Sequence, residues 1–160
     1  MPSSFLGWPD IPGKSPRGIS FFYEEVDFDL PQVRAVKSWI LATVRQYACQ
    51  LTYLQVIFCS DHFLYDLNVR YLGHNTLTDV ITFPYTEPPA IEGDLFISIE
   101  RVRENAASLS VPFEKEILRV IIHGVLHLCG TGDKTPEESL AMRAREEEAL
   151  LLFFSGGFSR

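Results

Sequence analysis

The segment Ile121-Ile122-His123-Gly124-Val125-Leu126-His127-Leu128-Cys129-Gly130-Thr131-Gly132-Asp133-Lys134 brings together the side chains best suited to chemistry in this chain. His123 and His127 stand four residues apart in an apolar run. At about 100° per residue they diverge by about 40° around a helix and sit about 6 Å apart along it, so both imidazoles face one point. Gly130, just past the last turn, lets the backbone reverse through a left-handed conformation, and Gly132 adds a second permissive position before Asp133. Asp133 is then free to swing back toward the histidines. Two neutral imidazoles and one carboxylate make a three-ligand site for one zinc ion per chain, or another divalent metal, with the fourth position left to water as in catalytic sites. The competing reading of the same residues is a pair of hydrogen-bonded histidines inside a buried helix.

This segment resembles the signature of the YbeY family of metal-dependent endoribonucleases, H-G-x-L-H-L-x-G-x-D-H, whose three histidines hold the metal. Gly132-Asp133 stands where that pattern has Asp-His. The resemblance therefore implies the metal ligands His123, His127 and Asp133, with a carboxylate in place of the third imidazole and a preference shifted toward harder ions. Leu67-Asn68-Val69-Arg70-Tyr71, Thr78-Asp79-Val80-Ile81-Thr82-Phe83 and Gly93-Asp94-Leu95-Phe96-Ile97-Ser98 are similar to the family's other marked stretches, in the same order, over residues 19 to 151. The family's usual arginine after the tyrosine of the first stretch is Leu72 here, and His74 is the expected partial substitute as a cationic or hydrogen-bonding group. His74, Thr78 and Asp79 are accordingly the expected catalytic residues; the resemblance, with the hydrogen-bonding side chains of Asn75, Thr78 and Asp79, implies a substrate cleft walled by loop 73–79 and the strand from Asp94 to Ile99. The implied activity is hydrolysis of single-stranded RNA, in maturation of the 3′ end of small-subunit (16S) ribosomal RNA and in ribosome quality control, with the ribosome as partner.

Parts of the motif suit other chemistries. Zinc peptidases of the H-E-x-x-H type carry a glutamate base beside the first histidine, where this chain has Gly124. Peptide hydrolysis is the weaker enzyme reading for that reason. Without such a base the metal itself must lower the pKa of water and polarise a phosphoryl oxygen, which suits phosphodiester hydrolysis. A third reading is a non-catalytic ribosome- or RNA-binding module in which the metal only stabilises the helix turn.

With 160 residues, 46% of them hydrophobic, the chain is expected to form one domain with a sizeable core. A net charge of −7 argues against indiscriminate binding of nucleic acid through a basic shell, although Arg101, Arg103, Lys115, Arg119 and Lys134 flank the motif and leave a local phosphate-binding groove open. No apolar run has the length of a membrane span and no secretory pattern opens the chain, so a cytoplasmic location is expected. Cys49, Cys59 and Cys129 are odd in number and lack C-x-x-C spacing, which argues for reduced thiols.

Residues 1–18 hold four prolines and show no period, the pattern of a flexible leader. A strand is expected at Ile19 to Glu24, then a helix from Leu30 to Tyr47 capped by Asp29, and a strand from Leu51 to Cys59. Ser60 or Asp61 caps a helix to Leu72, followed by strands Val80 to Tyr85 and Asp94 to Ile99 and a helix from Glu100 to Leu109. Ser110 is expected to cap the central helix, whose Ile117, Leu118, Val120, Ile121, Ile122 and Leu126 are apolar nearly all round and mark it as buried. Thr135-Pro136-Glu137-Glu138 is a capping box opening a last helix to Leu151, and residues 155–160 read as a frayed tail. The order implies an α+β fold: one domain over residues 19–154, a mostly four-stranded sheet and a buried metal-bearing helix, zincin-like.

Overall fold

A computed structural model describes residues 17–73 and 78–158. Four strands, β1 (Gly18–Glu24), β2 (Gln50–Cys59), β3 (Val80–Pro84) and β4 (Ala90–Ser98), form one sheet in the order β1-β2-β4-β3. β1, β2 and β4 run parallel, and β3 is antiparallel to β4 at the edge. The helices are α1 (Val33–Gln46), α2 (Asp61–Leu67, continued by a wider turn over Asn68–Leu72), α3 (Ile99–Leu109), α4 (Phe113–Leu128) and α5 (Pro136–Leu152). This is the expected α+β domain with a four-stranded sheet.

Burial on both faces explains the apolar runs of β2 and β4. Leu54, Val56, Phe58, Leu95 and Ile97 point to the face occupied by α1, α4 and α5, where the larger core forms around Trp39, Ile40, Ile121 and Ile122. Ile57, Phe96, Ile81 and Phe83 point to the other face, against Leu64 of α2. Parallel pairs require long crossovers between their strands; α1 joins β1 to β2 on one face and α2 follows β2 on the other, which buries both faces of the central strands. The Trp39 indole donates to the Ala149 carbonyl at 2.8 Å and packs edge-on against Phe153, locking α1 to the end of α5.

Helix α4 is the centre of the larger core, as its sequence implies. Ten of its sixteen residues are buried. At Gly124 an added Cβ would meet Leu95 Cδ2 at 2.7 Å, so the absence of a side chain there sets how closely α4 approaches the sheet. Thr135 caps α5 through its hydroxyl and Glu138 closes the capping box.

Several boundaries differ from the sequence reading. Asp29 does not cap α1; Leu30 turns into the core, its N–H donating to the Tyr23 hydroxyl at 3.1 Å, and the helix starts only at Val33 after Gln32 in the left-handed region. Ser110 does not cap α4 either. It ends α3 with φ 57°, and Pro112 precedes α4 without a side-chain cap, while Glu114 and Glu116 in the first turn complement the helix dipole. β4 begins at Ala90 rather than Asp94, because the ten-residue β2 continues to pair back to Gln50. Ser60 does cap α2, its Oγ accepting the Phe63 N–H at 3.0 Å.

Candidate metal centre

The end of α4 is built to turn the chain back on itself. The Thr131 N–H donates to the Leu126 carbonyl at 2.9 Å and the Gly130 N–H to the His127 carbonyl at 3.0 Å, the paired bonds of a Schellman termination. Gly130 takes φ +101° at its pivot. Gly132 does not enter the left-handed region, so one glycine performs the reversal for which two were expected. After the turn Asp133 lies over the last two turns of α4. Its Oδ2 stands 3.2 Å from His127 Nε2 and 3.5 Å from His123 Nε2. The three ligand atoms lie within 4.8 Å of one another and their side chains are half-buried.

These distances fit one small ion. Ligands about 2.0–2.1 Å from a tetrahedral zinc stand about 3.4 Å from each other, which matches the two nitrogen–oxygen separations. The outer faces of the imidazoles fix which nitrogen is offered. His127 Nδ1 lies 2.9 Å from the Thr131 carbonyl, which only accepts, so Nδ1 carries the proton and Nε2 keeps its lone pair. His123 Nδ1 lies 2.6 Å from Glu146 Oε2 on α5, which fixes the same tautomer. Glu146 is itself buried, and Arg119 donates to its other oxygen at 3.1 Å. Burial acts to raise the Glu146 pKa, but the bonds from His123 and Arg119 outweigh it and hold the carboxyl below its ordinary value. Arg119 also pairs bidentately with the buried Glu116. The carboxylate behind His123 is therefore anchored by a buried guanidinium.

The ligands lie in a cleft of about 520 Å³ whose other lining residues are Asn68, Leu72, Thr78, Asp79, Val80, Ile81 and Thr82. Thr78 and Asp79 are thus brought to the same cleft as the ligands. The Thr78 hydroxyl donates to the Val80 carbonyl at 3.3 Å. Asp79 accepts from Asn105 Nδ2 at 3.4 Å; burial raises its pKa, and Arg119 and His123 partly offset the rise. The strand from Asp94 to Ile99 was expected as a wall, but edge strand β3 occupies that place and β4 lies behind it. His74 and Asn75 lie outside the described residues.

The sequence reading missed Glu146, which sits in the run Arg143-Ala144-Arg145-Glu146-Glu147-Glu148 and resembles a solvated face. A signal was present: Met142, Glu146, Ala149 and Leu150 follow i, i+4, i+7, i+8, and all four are buried. Four of the five flanking cations are engaged elsewhere, and the fifth, Lys134, stands exposed beside Asp133. Arg119 is paired as above, Arg101 is held by Asp61 and Glu104, and Lys115 lies 3.9 Å from Glu147. Arg103 lies over the Phe113 ring. Gly124, the position of the peptidase glutamate, faces Leu95 and the sheet, so no base is presented there. Cys49 and Cys59 are buried and Cys129 is half-buried, all as free thiols, and burial pushes the Cys129 thiol up to about 12. Among the described residues no helix is long and apolar enough to cross a membrane.

Comparison with known proteins follows the same residues. Residues 19–153 match the family described as Endoribonuclease YbeY. A relative of that name from Flavobacterium psychrophilum is 47% identical over 135 residues, covering 84% of this chain and 96% of its own length. Another, from Amoebophilus asiaticus, is 47% identical over 134 residues, covering 83% of this chain and 91% of its own length. Among solved structures, the solution structure of TM1509 from Thermotoga maritima superposes with a TM-score of 0.64 at 26% identity, covering 84% of this chain and 89% of the other.

Proposed function

The chain belongs to the YbeY endoribonuclease family and is an endoribonuclease, a hydrolase of RNA phosphodiester bonds; we propose that it is zinc-dependent and acts on single-stranded RNA. The observation that carries the metal reading is the convergence of His123 Nε2, His127 Nε2 and Asp133 Oδ2, with both imidazoles held from behind through Nδ1. These three residues would hold the ion. Zinc bound there supplies Lewis acidity toward a phosphoryl oxygen and activates water near neutral pH.

Asp79, in the cleft wall beside the ligands, is the proposed proton acceptor and donor. Its burial favours the protonated form and moves its pKa upward, in the direction that makes a carboxylate a more effective base and acid near neutrality. Thr78, on the same wall, is proposed to orient the substrate through its hydroxyl. Glu146 is a positioning residue: its hydrogen bond with His123 sets the ring's tautomer and angle, and the Arg119 guanidinium keeps the carboxylate charged. In the cell, we assign this activity to maturation of the 3′ end of 16S ribosomal RNA and ribosome quality control in the cytoplasm, with the ribosome as partner.

The test is cleavage of a fluorescent single-stranded RNA by purified protein, with zinc removed by chelator and then restored. Cleavage should stop and return with the metal, spare a duplex of the same sequence, and fall at least about 100-fold in Asp133→Ala. Activity that survives both the chelator and that substitution refutes the metal reading.

A further inference from the structure

The cleft offers its substrate little positive charge. None of its described lining residues is a lysine or arginine. Arg119 is committed to Glu116 and Glu146, and Arg70 to Asp66 on the surface of α2, while Lys134 stands exposed beside Asp133. Proteins that hold single-stranded nucleic acid by its backbone use a basic groove, and the described lining residues of this cleft form none.

What adjoins the cleft instead is an apolar flank. Tyr65 and Val69 stand four apart on α2 and the start of its wider last turn, and Leu72 closes that turn. All three stand in solvent, 38%, 43% and 42% exposed, although α2 buries Leu64 against the sheet. Leu72 is at once the end of this flank and a lining residue of the metal cleft. The flank is therefore continuous with the place where the scissile bond must lie.

We propose that this flank is the base-binding surface of the endoribonuclease: Tyr65 stacks on an unpaired base near the scissile phosphodiester, and Val69 and Leu72 pack against the intervening nucleotide. The substrate is then held chiefly by its bases, with phosphate charge met at the metal centre. A base accepts an aromatic ring on its face only when it has left a duplex, so the same surface selects single strands. This inference rests on the endoribonuclease reading of the cleft.

The test compares wild type, Tyr65→Ala, Tyr65→Phe and Leu72→Arg as zinc-loaded enzymes on one single-stranded oligoribonucleotide over a range of salt. Tyr65→Ala should lower kcat/KM about fivefold or more, mainly through KM, while Tyr65→Phe, which keeps the ring, stays within about twofold of wild type. The wild-type salt slope should be shallow, about one phosphate's worth or less, and Leu72→Arg should steepen it by about 0.7. An unchanged KM in Tyr65→Ala, equal losses in the alanine and phenylalanine variants, or a wild-type slope of several phosphates would overturn the proposal. Wild type that cuts no RNA at any metal or salt concentration would instead refute the reading of the cleft itself, and the flank's role with it.

Discussion

Replacing Asp94 by asparagine should make the protein more stable at neutral pH. Asp94 is fully buried in β4, on the face of the sheet that carries the smaller core. The Tyr85 hydroxyl donates to its Oδ2 at 2.9 Å, but Oδ1 has no hydrogen-bond partner. Its register neighbour across β2 and β4, Gln55, likewise has a buried Oε1 without a partner. Burial pushes the Asp94 carboxyl from 3.8 up to about 6, against the opposing effect of the Tyr85 hydrogen bond. The folded protein therefore keeps this proton to higher pH than the unfolded chain does. Stability from the protonated form is complete below the unfolded value and is lost as pH rises through 6, a total of about 3 kcal/mol. Asparagine carries no charge at any pH, keeps an oxygen for Tyr85 and presents an N–H toward Gln55 Oε1. Urea unfolding of both proteins should show the variant more stable by about 2–3 kcal/mol at pH 7.5, with the difference below about 1 kcal/mol at pH 4. The corresponding rise in Tm at neutral pH is about 5–10 °C. Equal stabilities at pH 7.5, or a difference independent of pH, would refute the reasoning.

Two further outcomes follow from the site. Glu146→Gln should weaken zinc binding about 10- to 100-fold, because a neutral amide holds the His123 ring less firmly and leaves Arg119 with one fewer charged partner; competition with a chromophoric chelator measures it, and unchanged affinity would remove Glu146 from the metal centre. Asp79→Asn should lower kcat by about 10²- to 10⁴-fold and abolish the acid limb of the rate profile. Since burial raises the Asp79 pKa, that limb should lie at higher pH in wild type than an ordinary carboxylate would place it; an identical profile in the variant would exclude Asp79 as the proton acceptor.

How much of this was legible beforehand depended on the range of the interactions. The spacing of His123 and His127, the glycine after them and the aspartate three residues beyond lie within one helix and one turn, where local geometry dictates relative position. Their convergence was readable for that reason. So were the buried character of α4, from apolar residues all round it, and the Thr135 capping box, whose bonds join residues three apart.

Tertiary structure decided what residues distant in sequence do to one another. Glu146 reaches His123 across 23 positions and Arg119 reaches Glu146 across 27, so a glutamate in a charged run became a buried anchor only when α5 packed against α4. The same packing took Arg119 out of any phosphate groove. Start signals failed where the core competed with them: Leu30 was drawn inward and Asp29 lost its helix, while Ser110 was used to end one helix rather than begin the next. The cleft wall was settled by strand order. Sequence spacing marks β3 and β4 as neighbouring strands, but only the sheet places β3 at the edge beside the ligands and β4 behind it, because pairing order is set by burial on both faces rather than by adjacency along the chain.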